Sequence, residues 1–269
     1  MPFATKKPAR QPDSDFIGIK IMGTIYILWL RQLKRHFRSK ERIIGSIGQP
    51  LLFLVAFGFG FGPIYQKANG GSYIQFLAPG IIAMGILFNA LFSGIEIIWD
   101  RQFGFLKETL AAPVSRLNIM IGRTLGGATV ATIQGGIVFL VSFIAGFRPQ
   151  SLTALPLAFV FMLLIALLFT AIGTAIASLM KDMHGFQLIM NFVVMPIFFL
   201  SGALFPLEGS PKFIETIARF DPLSYGVDGL RGTLVNGSHF GLLTDLLLLS
   251  FMVAVLLALG SYLFSKIEA

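Results

Sequence analysis

The sequence of 269 residues predicts an all-α membrane protein with six transmembrane helices, on three observations. Hydrophobic residues make up 55% of the chain and charged residues only 13%, about half the roughly 25% of an average soluble domain. So few charges cannot cover a soluble fold of this length. Mean hydropathy is +0.79, and the apolar residues gather into six runs, each long enough to cross about 30 Å of hydrocarbon as a helix of roughly 20 residues. The runs are continuous, whereas a membrane barrel alternates apolar and polar positions in short segments. Cysteine is absent, which excludes thiol nucleophiles, thiolate metal sites and disulfides together.

In chain order, residues 1–15 are polar, carry Pro2, Pro8 and Pro12, and read as a flexible tail. No short apolar stretch with a small-residue cleavage site follows, so the tail is not a signal peptide. Residues 16–40 read as an amphipathic interfacial helix. Met22, Ile25, Tyr26, Trp29, Leu33 and Phe37 recur at three- and four-residue steps, while Lys20, Arg31, Lys34, Arg35 and Arg38 fill much of the remainder. The uncharged stretch within it is too short to span, which places Tyr26 and Trp29 at the membrane interface and Arg31, Lys34, Arg35 and Arg38 near anionic headgroups. The transmembrane region covers residues 43–265, with spans at about 43–62, 74–98, 117–146, 152–180, 186–204 and 242–264.

Placing the charges orients the chain. Of the 21 Lys and Arg residues, 16 lie in segments on the same side as the N-terminus and 5 on the other. Both termini are therefore expected in the cytoplasm. The net charge of +8 and pI near 9.9 then become a topology signal, and nucleic acid is not expected as a partner.

Two breaks between spans could carry function. The polar cytoplasmic segment 100–113 places Phe103, Leu106 and Leu110 at i, i+3 and i+7, a narrow apolar stripe flanked by Arg101, Lys107 and Glu108. Such a ridge suits a groove on another protein, and Leu106 is expected to face water until that partner covers it. The outer segment 205–235 is the longest break. In it Phe213, Ile214, Ile217 and Ala218 share a helical face, Asp221-Pro222 interrupts, and a second helical stretch follows. A moderately apolar segment of this kind can re-enter the membrane where protein buries its backbone.

Near the midplane the spans hold no ionisable residue; Glu96, Arg123 and Asp245 lie within about two turns of an end. An ion-coupled secondary transporter needs such groups, and an intramembrane lipid-processing enzyme needs a convergent catalytic set. Neither is legible. A phosphate loop of the G-x-x-x-x-G-K-[ST] type is missing too, so an energy source, if there is one, lies outside these residues. His36, His184 and His239 are scattered over three breaks and make no metal cluster. GFGFG at 58–62, Gly122 with Gly126, and Gly135 with Gly136 suit close helix packing.

Three stretches resemble a known family: FLAPGIIAMGILFNALFSG at 76–94, RQFGFLKETLAAPVSR at 101–116, and LSGALFPLEGSPKFIETIARFDPLSYGVDGLRG at 200–232. They are similar to the permease subunit of type-2 ABC transporters, in the branch with daunorubicin-resistance, nodulation-factor and polysaccharide-export permeases. The resemblance implies a homodimer in the cytoplasmic membrane of a prokaryote, joined to two copies of an ABC ATPase subunit that binds ATP and Mg, with no cofactor in this chain. It also implies that 100–113 is a coupling helix docking the ATPase through Arg101, Phe103, Phe105, Leu106, Lys107, Glu108 and Leu110. By the same resemblance 205–235 forms outer re-entrant helices, with Phe198, Phe199, Phe205, Pro206 and Tyr225 as gate or cargo-contact residues. The expected function is export of an amphipathic or glycan-type cargo, without an ATPase site of its own.

Overall fold

The computed structural model describes residues 14–69, 71–111 and 114–265, and among them every regular element is a helix. The order is α1 (Ser14–Arg38), α2 (Lys40–Asn69), α3 (Tyr73–Phe92), α4 (Ile95–Gln102), α5 (Phe105–Ala111), α6 (Arg116–Ser142), α7 (Leu155–Leu179), α8 (Met183–Leu200), α9 (Lys212–Phe220), α10 (Pro222–Val235) and α11 (Leu242–Ser265). Residues 1–13, most of the expected flexible tail, lie outside the described residues.

Six helical stretches are long and apolar enough to cross a membrane, at Ile43–Ala68, Tyr73–Gln102, Arg116–Ser142, Leu155–Leu179, Met183–Leu200 and Leu242–Phe264. They match the six expected runs in order, with shifted ends. The first helix continues past Gly62, and the second continues through α4 to Gln102 after a turn at Ser93-Gly94. Helix starts follow the local chemistry. Ser115 accepts from the Asn118 N–H at the head of α6, and Asp182 accepts from the Gly185 N–H at the head of α8, each satisfying an otherwise orphaned donor.

Helix α3 is the axis of the bundle. Leu77, Ile81, Ile82, Ile86, Leu87 and Leu91 are all fully buried, and α3 packs against α2, α6, α7 and α10. Lipid tails are as apolar as leucine, so helices in a membrane gain little by hiding leucine from solvent and depend on close van der Waals approach. The closest approaches use glycine. A methyl group at Gly94 would strike the Gly173 carbonyl, one at Gly173 would strike the Leu91 carbonyl, and one at Gly80 would strike the Ala203 backbone. Of the glycines singled out in the sequence, Gly122, Gly126 and Gly135 do sit against neighbouring helices. The GFGFG run does so only in part: Gly58 faces Ile74, while nothing lies within 4 Å of a methyl at Gly60 or Gly62. Around them α2 exposes Phe59, Phe61 and Ile64.

Gly173→Ala is expected to lower the melting temperature of the purified chain in detergent, at an overpacking cost of about 1–3 kcal/mol. Gly60→Ala should leave it unchanged or raise it, since alanine favours a helix over glycine by roughly 0.5–1 kcal/mol. Equal melting of the two variants would mean that α3 and α7 are not in backbone contact.

Candidate functional site

At one end of the bundle α1, α4, α5, the start of α6 and the end of α7 converge. Arg31 and Arg35 lie one turn apart on α1, and Glu96 and Asp100 lie one turn apart on α4. This spacing lets two cations meet two carboxylates in register. Arg31 Nη2 donates to Asp100 Oδ1 at 3.1 Å, and Arg35 Nε lies 3.8 Å from Glu96 Oε1. From α6, Arg123 Nη2 donates to the other Asp100 oxygen at 2.5 Å. Asp100 thus ties three helices, with only 6% of its side chain and 4% of that of Arg123 exposed.

Helix α1 seats on α6 as well. The Trp29 indole N–H donates to Thr129 Oγ1 at 3.0 Å, and Gly122 and Gly126 open a trough for Ile25, Leu28 and Gln32. The face that packs runs through Ile25, Leu28, Trp29, Gln32 and His36. Of the apolar stripe read from the sequence, Ile25 and Trp29 lie on this packed face, while Met22, Tyr26 and Phe37 lie off it, exposed at 75%, 57% and 55%. Hydrophobicity alone does not mark the face, because Gly122 and Gly126 admit Gln32 as closely as Ile25 and Leu28. Lys34 and Arg38 are exposed, whereas Arg35 and Trp29 are partly buried.

The segment 100–113 is not one helix. Helix α4 ends at Gln102, a turn follows with Gly104 at φ +80°, and α5 starts at Phe105. Only glycine adopts that left-handed angle readily. The turn resets the helical phase, and this overturns the expectation for Leu106. Its side chain is fully buried, whereas Phe103 and Phe105 are exposed at 73% and 52%. Lys107 and Glu108 are exposed beside them, and the Leu110 side chain lies outside the described residues. Arg101 faces inward and donates to the carbonyls of Met180, at 2.6 Å, and Ser178, at 3.1 Å. There it complements the negative end of α7. Between α1 and the turn lies a groove of about 680 Å³, lined by residues that include Arg31, Lys34, Arg38, Phe103 and Phe105. The Arg31 guanidinium lies 5.8 Å from the centre of the Phe105 ring.

At the opposite end, α9 and α10 meet at Asp221. Its carboxylate caps α10 by accepting from the Leu223 N–H at 2.9 Å, and burial pushes its pKa up to about 7. Helix α10 is buried along most of its length, whereas α9 exposes Phe213, Ile217 and Phe220. Tyr225 is buried and donates its hydroxyl to the Arg219 carbonyl at 2.6 Å. Phe198 is likewise buried and packs edge-on against Phe53. Phe199 and Phe205 are exposed, and Pro206 borders a cavity of about 240 Å³ at this end. In that cavity Arg231 lies 3.9 Å above the Phe76 ring and donates to the Gly202 carbonyl. Asp228 accepts from the backbone N–H groups of His239 and Phe240 and from the Ser238 hydroxyl. The sequence reading missed both the Asp100 cluster and this clamp. The available signal for the first was the matched spacing of Arg31 with Arg35 and Glu96 with Asp100.

Removing Asp100 leaves Arg123 buried without a counter-charge, which typically costs about 3–5 kcal/mol. Asp100→Leu should therefore lower the melting temperature strongly, and adding Arg123→Met should recover most of the loss. Additive losses in the double variant would show that the two residues do not act as a pair.

The family described as ABC-2 type transporter matches residues 24–235, which takes in the Asp100 cluster, the α4–α5 turn and the α9–α10 pair. Nodulation protein J of Rhizobium leguminosarum bv. viciae is 27% identical over 256 residues, covering 90% of this chain and 97% of that protein. The putative transport permease ycf38 of Porphyra purpurea is 30% identical over 229 residues, covering 84% and 79%. Its counterpart in Pyropia yezoensis is 32% identical over 217 residues, covering 78% and 74%. With six apolar spans in the expected order, the chain belongs to the ABC-2 type transporter family, as a multi-pass membrane permease.

Proposed function

We propose that the chain is the transmembrane subunit of an ATP-driven exporter, working as a homodimer with two copies of a separate ATPase in the cytoplasmic membrane of a prokaryote. Both termini face the cytoplasm, and the cargo is amphipathic or glycan-type. ATP and Mg belong to the ATPase; this chain supplies no cofactor. The observation that carries the reading is the α4–α5 elbow. Two exposed aromatic rings, Phe103 and Phe105, stand on a turn that is braced from behind by Leu106, Arg101 and the Asp100 cluster. An apolar knob on a rigid mount fits a groove in a partner, with Lys107 and Glu108 at its rim.

The mount also gives a route for force. When the ATPase pair closes on ATP, a displaced elbow carries α1 and α6 through Asp100, and α7 through Arg101. Nucleotide shifts the permease between inward and outward states only through contacts that differ between them. At the outer end α9 and α10 act as re-entrant helices that close the exit, with Phe199, Phe205 and Pro206 beside the path. Phe198 and Tyr225 hold that end together by packing. Tyr26, Lys34 and Arg38 face lipid headgroups.

Phe103→Asp and Phe105→Asp should each weaken co-purification of the ATPase at least tenfold and lower nucleotide hydrolysis and export by the complex. Burying one such ring stabilises by roughly 1.5–3 kcal/mol, and 1.4 kcal/mol is a factor of ten. The permease itself should melt as before. Leu106→Asp should instead destabilise the isolated chain. Normal assembly and export by both phenylalanine variants would remove the elbow as the docking point.

The chain has no native cysteine, so single cysteines report orientation cleanly. An impermeant thiol reagent added to intact cells should label a cysteine at position 67 or 212 and spare one at 107. Labelling at 107 from outside would reverse the orientation.

A further inference from the structure

Helix α10 meets the head of α11 through two carboxyl groups that the proposed transport cycle does not use. Asp228 of α10 and Asp245, in the first turn of α11, are both buried, and their side chains lie within hydrogen-bonding reach of each other. The surroundings of the two differ. Asp228 Oδ1 accepts from the His239 N–H at 2.7 Å, while Oδ2 accepts from the Phe240 N–H at 2.7 Å and from the Ser238 hydroxyl at 3.0 Å. Asp245 meets no donor at either oxygen among the described residues. No salt bridge reaches either carboxyl group there.

Two buried carboxylates in contact are both acceptors and repel, and in a medium of low dielectric the repulsion is strong. One proton turns the same contact into a carboxyl–carboxylate hydrogen bond, and that proton belongs to the pair. The other ionisable groups nearby are engaged elsewhere. Tyr225 donates its hydroxyl to the Arg219 carbonyl, and Arg231 lies over the Phe76 ring and donates to the Gly202 carbonyl. The His239 ring faces Glu208, and Asp221 caps the head of α10. Helices α6 and α7 also pack on α11. Of these α7 carries no ionisable residue, and the charges of α6, Arg116 and Arg123, lie toward its opposite end. Asp228 lines the cavity of about 240 Å³ at this end of the bundle, which gives protons of the medium a way to the pair.

We propose that Asp228 and Asp245 form a proton-operated latch between α10 and α11. With one proton shared the two helices are tied; without it the like charges drive them apart, so acid in the medium at this end keeps α10 shut. The inference rests on the proposed function only in treating α10 as part of the exit.

An opening that releases one proton has an equilibrium constant that rises about tenfold per pH unit. The full chain in nanodiscs is followed by hydrogen–deuterium exchange and mass spectrometry over about pH 5–9, with intrinsic exchange rates divided out. Protection of the α10 amides should fall toward alkaline pH, by about tenfold per unit once the proton is lost. Asp245→Asn puts a permanent N–H donor into the contact and should keep α10 protected throughout. Asp221→Asn should retain the native slope, which separates the pair from the other buried acid of this region. A native chain without the slope overturns the latch before any variant is made. A slope that Asp221→Asn abolishes, or that survives Asp245→Asn, overturns it too. Should Asp245→Asn not fold, the native and Asp221→Asn slopes decide. No ATPase takes part, so failure of the latch and failure of the exporter reading appear in different experiments.

Discussion

Backbone-to-backbone contact at glycine is the constraint on which the rest of the bundle depends. Helix α3 occupies the centre because Gly80 and Gly94 let it touch the Ala203 backbone and the Gly173 carbonyl, and Gly173 lets α7 return the contact at Leu91. A side chain at any of these three positions would push the axial helix outward by about the width of a methyl group. The contacts bracket α3, one near each end, so they set its depth and its rotation together. The exposed apolar faces of α2, α8 and α11 follow from that placement. With α3 at the axis, those three are left on the periphery, where Phe59, Phe192 and Phe251 face outward.

Charge is then arranged around this frame, outside its apolar middle. Asp100 lies on α4, past the turn that ends α3, and it gathers Arg31 and Arg123 at a depth where one unpaired ion would be expensive. The same short helix sends Arg101 to the carbonyl end of α7. Two adjacent residues therefore reach α1, α6 and α7. Between them they make the elbow a fixed extension of four helices, which a loose loop could not be. At the other end Asp228 performs a comparable task with neutral donors, holding the chain that leads into α11.

The spans were legible because hydropathy is a one-dimensional property, and six runs in sequence became six helices. The break at Asp221-Pro222 was legible for the same reason, since a cap is local. What failed depended on three-dimensional phase. Phe103, Leu106 and Leu110 share a face only if the helix through them is unbroken, and Gly104 breaks it. Reading α1 by its hydrophobic residues likewise missed that Gln32 and His36 lie on its packed side, because their neighbours come from distant parts of the chain. The segment proposed for docking was thus marked out by sequence, while the side chains it exposes were fixed by a single turn.

The seat of α1 bears on the order in which the protein is made. Its partners are remote in the chain: Asp100 is 69 residues from Arg31, and Thr129 is 100 residues from Trp29. At about 5–20 residues per second, a ribosome that has just completed α1 needs on the order of 5–20 s to deliver the helix against which it docks. During that interval Arg31 and Arg35 have no carboxylate to meet and Trp29 has no hydroxyl. An amphipathic helix can wait on the membrane surface in the meantime, its rings among the headgroups and its cations against anionic lipid. A composition suited to the interface would thus let α1 wait there until the third span enters the bilayer and the trough at Gly122 and Gly126 becomes available.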